Sequence, residues 1–343
     1  MASLVGPHIT IAIPTFNRGA LLRGCIQSAL SQTYDNIEVL VSDNASTDDT
    51  EEVLREFADK RLRVLRQETN IGMHPNWNAC LAAASGEYIV FVSDDDRISP
   101  WFLERCVSAI GTQSQIPVIV ALSDVRIFST GQTKRARTSR HIKTGIRSGT
   151  DVLSEFLMNE TTIAMCSVVL RTEALRSRGG FPLDLPFTAD IAVWAPLLFE
   201  DRVGFVNETC ATYNLHQNSE TAKLSVVEIL RNGCKFAELI SSMADERIND
   251  PSLRKKIKLQ ARRFSSRQAL VFLAYYHSNG AGLLEILTLV WRIRKDLMSV
   301  EKLSALRFVA IILCPRPIAV RLRHLKQTFA EGWENRRTAV KAG

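Results

Sequence analysis

The sequence has no apolar run close to the ~18 residues that a bilayer-spanning helix needs. Phe308–Cys314 is too short, and the stretch from Leu283 is broken by Glu285. The opening residues, MASLVGPHIT, carry neither a basic n-region nor an apolar h-region, so no signal peptide is expected. The seven cysteines contain no C-x-x-C pair, are odd in number and are widely spaced. That argues against a disulfide framework and a cysteine zinc site, and makes a reducing cytoplasm the expected compartment. No G-x-G-x-x-G follows the first apolar run and no G-x-x-x-x-G-K-[ST] occurs anywhere. A dinucleotide dehydrogenase and a P-loop enzyme are thereby disfavoured.

What is present is an ordinary globular composition of 343 residues, 46% hydrophobic and 23% charged, enough for about two domains. The charge is uneven. From Pro251 onward there are 19 Lys+Arg against 5 Asp+Glu, a net of +14, whereas residues 1–250 carry a net of −7. A mildly acidic body with a basic tail points to an anionic surface as partner.

Short apolar runs alternate with helical periodicity through the first ~125 residues. Strands are expected at residues 9–13, 37–42, 62–65, 88–92 and 117–122, with helices at 21–30, 47–57, 76–84 and 100–110 between them. Ser46 or Thr47 is the expected cap of the second helix. Such alternation predicts an α/β layer with a mostly parallel sheet. Residues 126–150 read as a polar, basic loop, a candidate lid. After it come a helix at 151–158, a strand at 167–170, a Gly179-Gly180 turn, a helix at 189–199 and strands at 203–206 and 210–214. From about Thr221 the chain reads as helices.

Ligands of such sheets bind beyond the carboxyl ends of the strands, and polar residues gather there. Thr15, Asn17 and Arg18 follow the first strand, Asp43 and Asn44 the second, and Ser93-Asp94-Asp95-Asp96 the fourth. Consecutive acids repel unless a cation compensates them. A hard divalent cation takes carboxylate oxygens and keeps substrate phosphates as further ligands, so the acidic run reads as a metal-diphosphate site; a solvated helix cap is the bland alternative. Asp43 is placed to accept from a base or ribose hydroxyl, or to make an Asx-turn with Ser46 and Thr47. Asn70-Ile71-Gly72, Asn76 and Asn78 read as turns held by side-chain amides.

Taken in order, IAIPTFNR, VSDNASTDDT, NIG with NWNACLAAASGEYIVF, SDDDRISP, GGFP with TADIAVW, and YNLHQNSET resemble the family 2 glycosyltransferases over about residues 8–220. The resemblance implies a GT-A fold, a Rossmann-like, mostly parallel sheet flanked by helices, in residues 1–220, with a basic helical C-terminal region in 221–343. It implies inverting transfer of a sugar from a nucleotide diphosphate-sugar to an acceptor hydroxyl, with Mg²⁺ or Mn²⁺ as cofactor, in polysaccharide or glycolipid assembly. By that resemblance Pro14, Thr15, Asn17, Arg18, Asp43, Asp94 and Asp95 are the nucleotide-binding residues. Asp96 and His216 are the metal residues, and Asp190 is the catalytic base. The family's D-x-D-D run has Ser93 at its first acid, leaving Asp94 as a stand-in, and Ala189 stands where many members have Glu. Trp194 reads as core rather than as a stacking platform for an acceptor.

Three rivals remain at this level: a silent sugar-nucleotide-binding protein of the same fold, a sugar nucleotidyltransferase and a nucleic-acid binder. ITIAIPTFNRGA lacks a nucleotidyltransferase's Gly-rich basic loop, and no aromatic-basic RNA motif or zinc finger is present, so no nucleic acid is expected as partner. In the tail, Ile318, Leu322, Leu325 and Phe329 share one helical face beside Arg321, Arg323 and Lys326. That is the pattern of an interfacial helix on an anionic membrane or of a helix packed on the body. The protein is thus expected in the cytoplasm, peripheral on the inner face of the membrane.

Overall fold

A computed structural model describes residues 6–113, 115–127, 131–137, 142–185, 187–215 and 226–278, together with Thr288. Its first half is the expected alternation: β1 (Ile9–Thr15), α1 (Gly19–Leu30), β2 (Ile37–Asp43), α2 (Thr50–Arg55), β3 (Leu62–Arg66), α3 (Met73–Ala83) and β4 (Tyr88–Phe91). There follow β5 (Arg97–Ile98), α4 (Phe102–Ile110), β6 (Val118–Ile127), β7 (Gln132–Lys134), β8 (Gly145–Arg147) and α5 (Gly149–Leu157). Then come β9 (Val168–Arg171), α6 (Thr172–Arg176), α7 (Ala189–Trp194) and β10 (Val203–Leu215), and finally α8 (Val226–Arg247) and α9 (Pro251–Ser278).

The strands form one sheet in the order β3-β2-β1-β4-β9-β6-β10-β5, with β7 on β6 and β8 on β10. β3, β2, β1 and β4 are parallel, and β6 is parallel to β10; β9 runs antiparallel between β4 and β6. Every residue of β1 is buried, as a central strand covered on both faces should be. Leu22, Cys25, Ile26 and Ala29 lie along one face of α1 and join Ile9, Ile11 and Ile13 of β1 and Val39 and Val41 of β2 in the core. Pro14 is tolerated in this strand for a local reason. The Ala12 carbonyl accepts from Val92 N at 2.9 Å, so positions 12 and 14 face β4, whose pairing stops at Ala12↔Phe91. The proline nitrogen therefore costs no ladder hydrogen bond.

The structure corrects several expected elements. The polar stretch 126–150 contains the end of β6, β7, β8 and the start of α5. Three-residue edge strands carry too little alternation to show in a sequence. The strands expected at 203–206 and 210–214 are one strand with register shifts between Val206 and Thr209 and between Thr209 and Ala211. The helix expected at 189–199 is α-helical only to Trp194 and 3₁₀ from Ala195 to Phe199. Pro196 lacks the N–H that an α-helix needs there. Neither Ser46 nor Thr47 caps α2; Asp48 Oδ1 accepts from Thr50 N (3.1 Å) and Thr50 Oγ1 (2.5 Å) instead.

Asn76 and Asn78, expected in turns, lie within α3, and their amides tie that helix to its neighbours. Asn76 Nδ2 donates to the Ser42 carbonyl (3.0 Å) and its Oδ1 accepts from Ser42 Oγ (2.6 Å), both buried. Asn78 pairs with both the N–H and the carbonyl of Phe181. Beside that pair Gly180 has φ +74°, and a Cβ there would collide with Asn78 Oδ1. Asn76→Ala, which strands the Ser42 groups, should cost about 1–3 kcal/mol. In urea the midpoint should fall at constant m-value; an unchanged midpoint would show that the clamp contributes nothing.

By packing, the chain divides into two units: Met1–Lys223 with Glu238–Ala261, and Leu224–Ala237 with Arg262–Gly343. In the first, Gln260 Nε2 on α9 donates to Ser154 Oγ on α5 at 2.8 Å. In the second, Phe236 and Phe264 meet at 5.6 Å and Ser265 Oγ donates to the Gly233 carbonyl. The C-terminal region is thus helical through residue 278; the Ile318–Phe329 face lies outside the described residues. No described helix is long and apolar enough to cross a membrane.

Candidate active site

Parallel register places Thr15 directly beside Asp43 at the carboxyl ends of β1 and β2. From this edge Thr15 Oγ1 donates to Asp94 Oδ2 at 2.8 Å, and Arg18 Nη1 reaches Asp94 Oδ1 at 3.1 Å and Asp95 Oδ2 at 3.3 Å. The end of β1 is therefore tied to the turn after β4. Burial pushes Asp94 up to about 6, against the pull of the Arg18 guanidinium and with a further push from Asp95. Both carboxylate oxygens of Asp94 accept a hydrogen bond, one from Thr15 and one from Arg18.

Asp43 is fully buried and divides its two oxygens. Oδ1 accepts from Ser46 N at 2.9 Å, the Asx-turn, while Oδ2 makes no hydrogen bond, although Arg66 Nη1 stands 3.3 Å away. One oxygen serves the fold and the other faces the Arg66 guanidinium. Asn17, with φ +53°, receives neither role by itself. Its backbone N donates to Ser46 Oγ and its Oδ1 accepts from Thr47 N, both at 2.8 Å, so it staples the β1–α1 loop to the β2–α2 loop. Asn44 likewise holds the Asn70–Gly72 turn through Asn70 Oδ1 and Ile71 N.

The acidic turn closes through Asp96 N on the Ser93 carbonyl at 2.9 Å. Asp96 Oδ1 accepts from the backbone N of Asn214 at 2.8 Å, and Asn214 Nδ2 donates to the Asp95 carbonyl at 2.6 Å. β10 thus grips the turn from its far side. Burial, the Asp95 and Asp94 charges together hold the Asp96 carboxyl well above its usual range, against the Asn214 hydrogen bond. A divalent cation would relieve that crowding, and hard carboxylate oxygens are the donors that Mg²⁺ and Mn²⁺ prefer. The residues present fit such an ion, with Asp96 and Asp95 as the groups to hold it. Among the described residues no three His, Cys, Asp or Glu side chains converge on one metal position. His216 lies outside the described residues. Asn214 is the residue that sequence reasoning missed; its only signal was its place two residues before His216.

Asp190 stands in the first turn of α7, and burial pushes it up to about 6, against backbone N–H donors of Ile191 and of Asp190 itself. Tyr213 precedes Asn214 on β10, and the pKa of its hydroxyl is shifted upward. Burial raises it first, then the charges of Asp96, Asp190 and Asp95 together. Segments far apart in sequence therefore act on one phenol. Trp194, on the same helix, is fully buried and packs edge-on against Phe156 at 4.7 Å, so it anchors α7 in the core.

Comparisons with known proteins agree with this geometry. A 95-residue stretch is 38% identical to the GalNAc(5)-diNAcBac-PP-undecaprenol beta-1,3-glucosyltransferase of Campylobacter jejuni, covering 27% of this chain and 31% of that relative. The chain spans about a third of the length of that relative. Its fold matches S. aureus TarS in complex with UDP, with a TM-score of 0.64, 17% identity and coverage of 94% and 91% of the two chains. It also matches the mannosyltransferase PcManGT of Pyrobaculum calidifontis in complex with GDP-Man and Mn²⁺, with a TM-score of 0.50, 16% identity and coverage of 93% and 87%. The architecture is that of the GT-A glycosyltransferases. Residues 10–176, just under half of the chain, match glycosyl transferase family 2, and the chain carries a glycosyltransferase domain of that type.

Proposed function

We propose that the protein transfers a sugar, with inversion, from a nucleoside diphosphate-sugar to an acceptor hydroxyl, in polysaccharide or glycolipid assembly. The observation that carries this is the convergence of Thr15, Asp43 and the Asp94–Asp96 turn at adjacent strand ends. Asp43 Oδ2, buried beside the Arg66 guanidinium but without a hydrogen bond, is the acceptor for a nucleoside N–H or O–H. Asp96 and Asp95 are the residues that would hold a divalent cation, which when bound neutralises charge on the diphosphate. Asp190 takes the proton of the acceptor hydroxyl as its oxygen attacks the anomeric carbon. The bond from that carbon to the diphosphate oxygen breaks, and its electron pair leaves with the diphosphate. A base with its pKa near 6 is poised for this at neutral pH. The relatives' UDP, GDP-Man and Mn²⁺ support the donor class and the ion.

On this reading residues 1–220 are the catalytic domain and 221–343 a basic helical region that docks on the cytoplasmic face of an anionic membrane. The undecaprenol-linked substrate in the name of the Campylobacter jejuni relative supports a lipid-linked acceptor. Full-length protein should co-sediment with phosphatidylglycerol vesicles at low salt and lose this on truncation near residue 300. Failure of the folded full-length chain to bind them contradicts docking.

The donor reading is tested by thermal shift with UDP, TDP and GDP, each with and without Mn²⁺. One nucleotide should raise the melting temperature, and more so with the ion, as RT ln(1 + [L]/Kd) requires. Asp43→Ala should weaken that nucleotide with or without Mn²⁺. Equal stabilisation of wild type in EDTA and Mn²⁺ would remove the metal from the proposal.

A further inference from the structure

Among the described residues only a few buried side-chain polar atoms make no hydrogen bond, and one of them, Asn214 Oδ1, lies against the acidic turn. Asn214 is 4% exposed. Its orientation is set by its neighbours. Nδ2 donates to the Asp95 carbonyl at 2.6 Å, and a flipped amide would put oxygen against oxygen. The backbone N of the same residue donates to Asp96 Oδ1 at 2.8 Å. The Nδ2 hydrogen bond thus orients the side-chain amide and leaves its carbonyl oxygen buried and unsatisfied, an arrangement that is costly unless something completes it.

We propose that Asn214 positions Asp96 and lends Oδ1 as a neutral oxygen ligand to the divalent cation held at the acidic turn. The inference rests on the metal reading given above. Amide carbonyl oxygen is a hard donor that suits Mg²⁺ and Mn²⁺.

Mn²⁺ binding to the full chain, read from the EPR signal of free ion with and without UDP, tests this without turnover. Asn214→Ala should weaken Mn²⁺ roughly 10–100-fold. Asn214→Asp keeps an oxygen, loses the N–H to the Asp95 carbonyl and adds a charge that itself attracts the cation, so it should bind Mn²⁺ more tightly than the alanine variant. Wild-type affinity in the alanine variant, or an aspartate variant as weak as the alanine one, overturns the proposal. If Asn214→Ala does not fold by circular dichroism, Asn214→Ser takes its place, since its hydroxyl falls one bond short and the same loss is expected. Asp96→Ala separates the two levels. If it binds Mn²⁺ like wild type, the metal reading itself fails; if it loses Mn²⁺ while Asn214→Ala keeps it, only the role of Asn214 fails.

Discussion

Asp190→Asn should lower kcat by about 10²–10⁴, the usual worth of a positioned base, with donor affinity little changed. The amide is nearly isosteric with the carboxylate but cannot accept the acceptor's proton. The pH profile gives the independent signature. Burial raises the Asp190 pKa to about 6, so the reactive, charged form is lost as pH falls through that value. Wild-type kcat should be flat above it and drop about tenfold per unit well below it. The residual activity of Asp190→Asn should lack that limb. A variant that keeps more than about a tenth of wild-type turnover would move the base elsewhere, with Glu200 or Asp184 the next carboxylates to test.

Asp96→Ala should be nearly as damaging by a different route. Charge neutralisation by a bound divalent ion is worth several kcal/mol, and each 1.4 kcal/mol is about tenfold. A loss of roughly 10² or more in kcat/KM is expected, and with it the Mn²⁺-dependent part of nucleotide stabilisation. The stabilisation by nucleotide in EDTA should remain, because Asp43 is untouched. A variant still activated by Mn²⁺ as wild type is would place the ion away from the acidic turn.

The sheet was legible in the sequence where strands are apolar and buried on both faces, as in ITIAI, IEVLVS and YIVF. Such runs declare themselves without help from tertiary structure. The short elements were not legible. β5, β7, β8 and α6 are two to five residues long and take their shape from the partners they pair or pack with. The strand ends were identifiable as a site because polar residues cluster after apolar runs. How those residues share the work was not. That Asp43 gives one oxygen to Ser46 and turns the other toward Arg66, or that Asn17 spends its side chain on Thr47, depends on register between loops. Asn214 stayed hidden for the same reason, since nothing in YNLH shows that β10 meets the turn after β4. Trp194 is the opposite case: on a helix of apolar residues it reads as core, and it is core.

The stereochemistry of the first product bears most directly on transfer by a single displacement. For the nucleoside diphosphate-sugar that stabilises the protein, proton NMR can follow the sugar released to water or acceptor before it mutarotates. In-line attack assisted by Asp190 requires the anomer opposite to the donor's. A first product that retains the donor's configuration would contradict it.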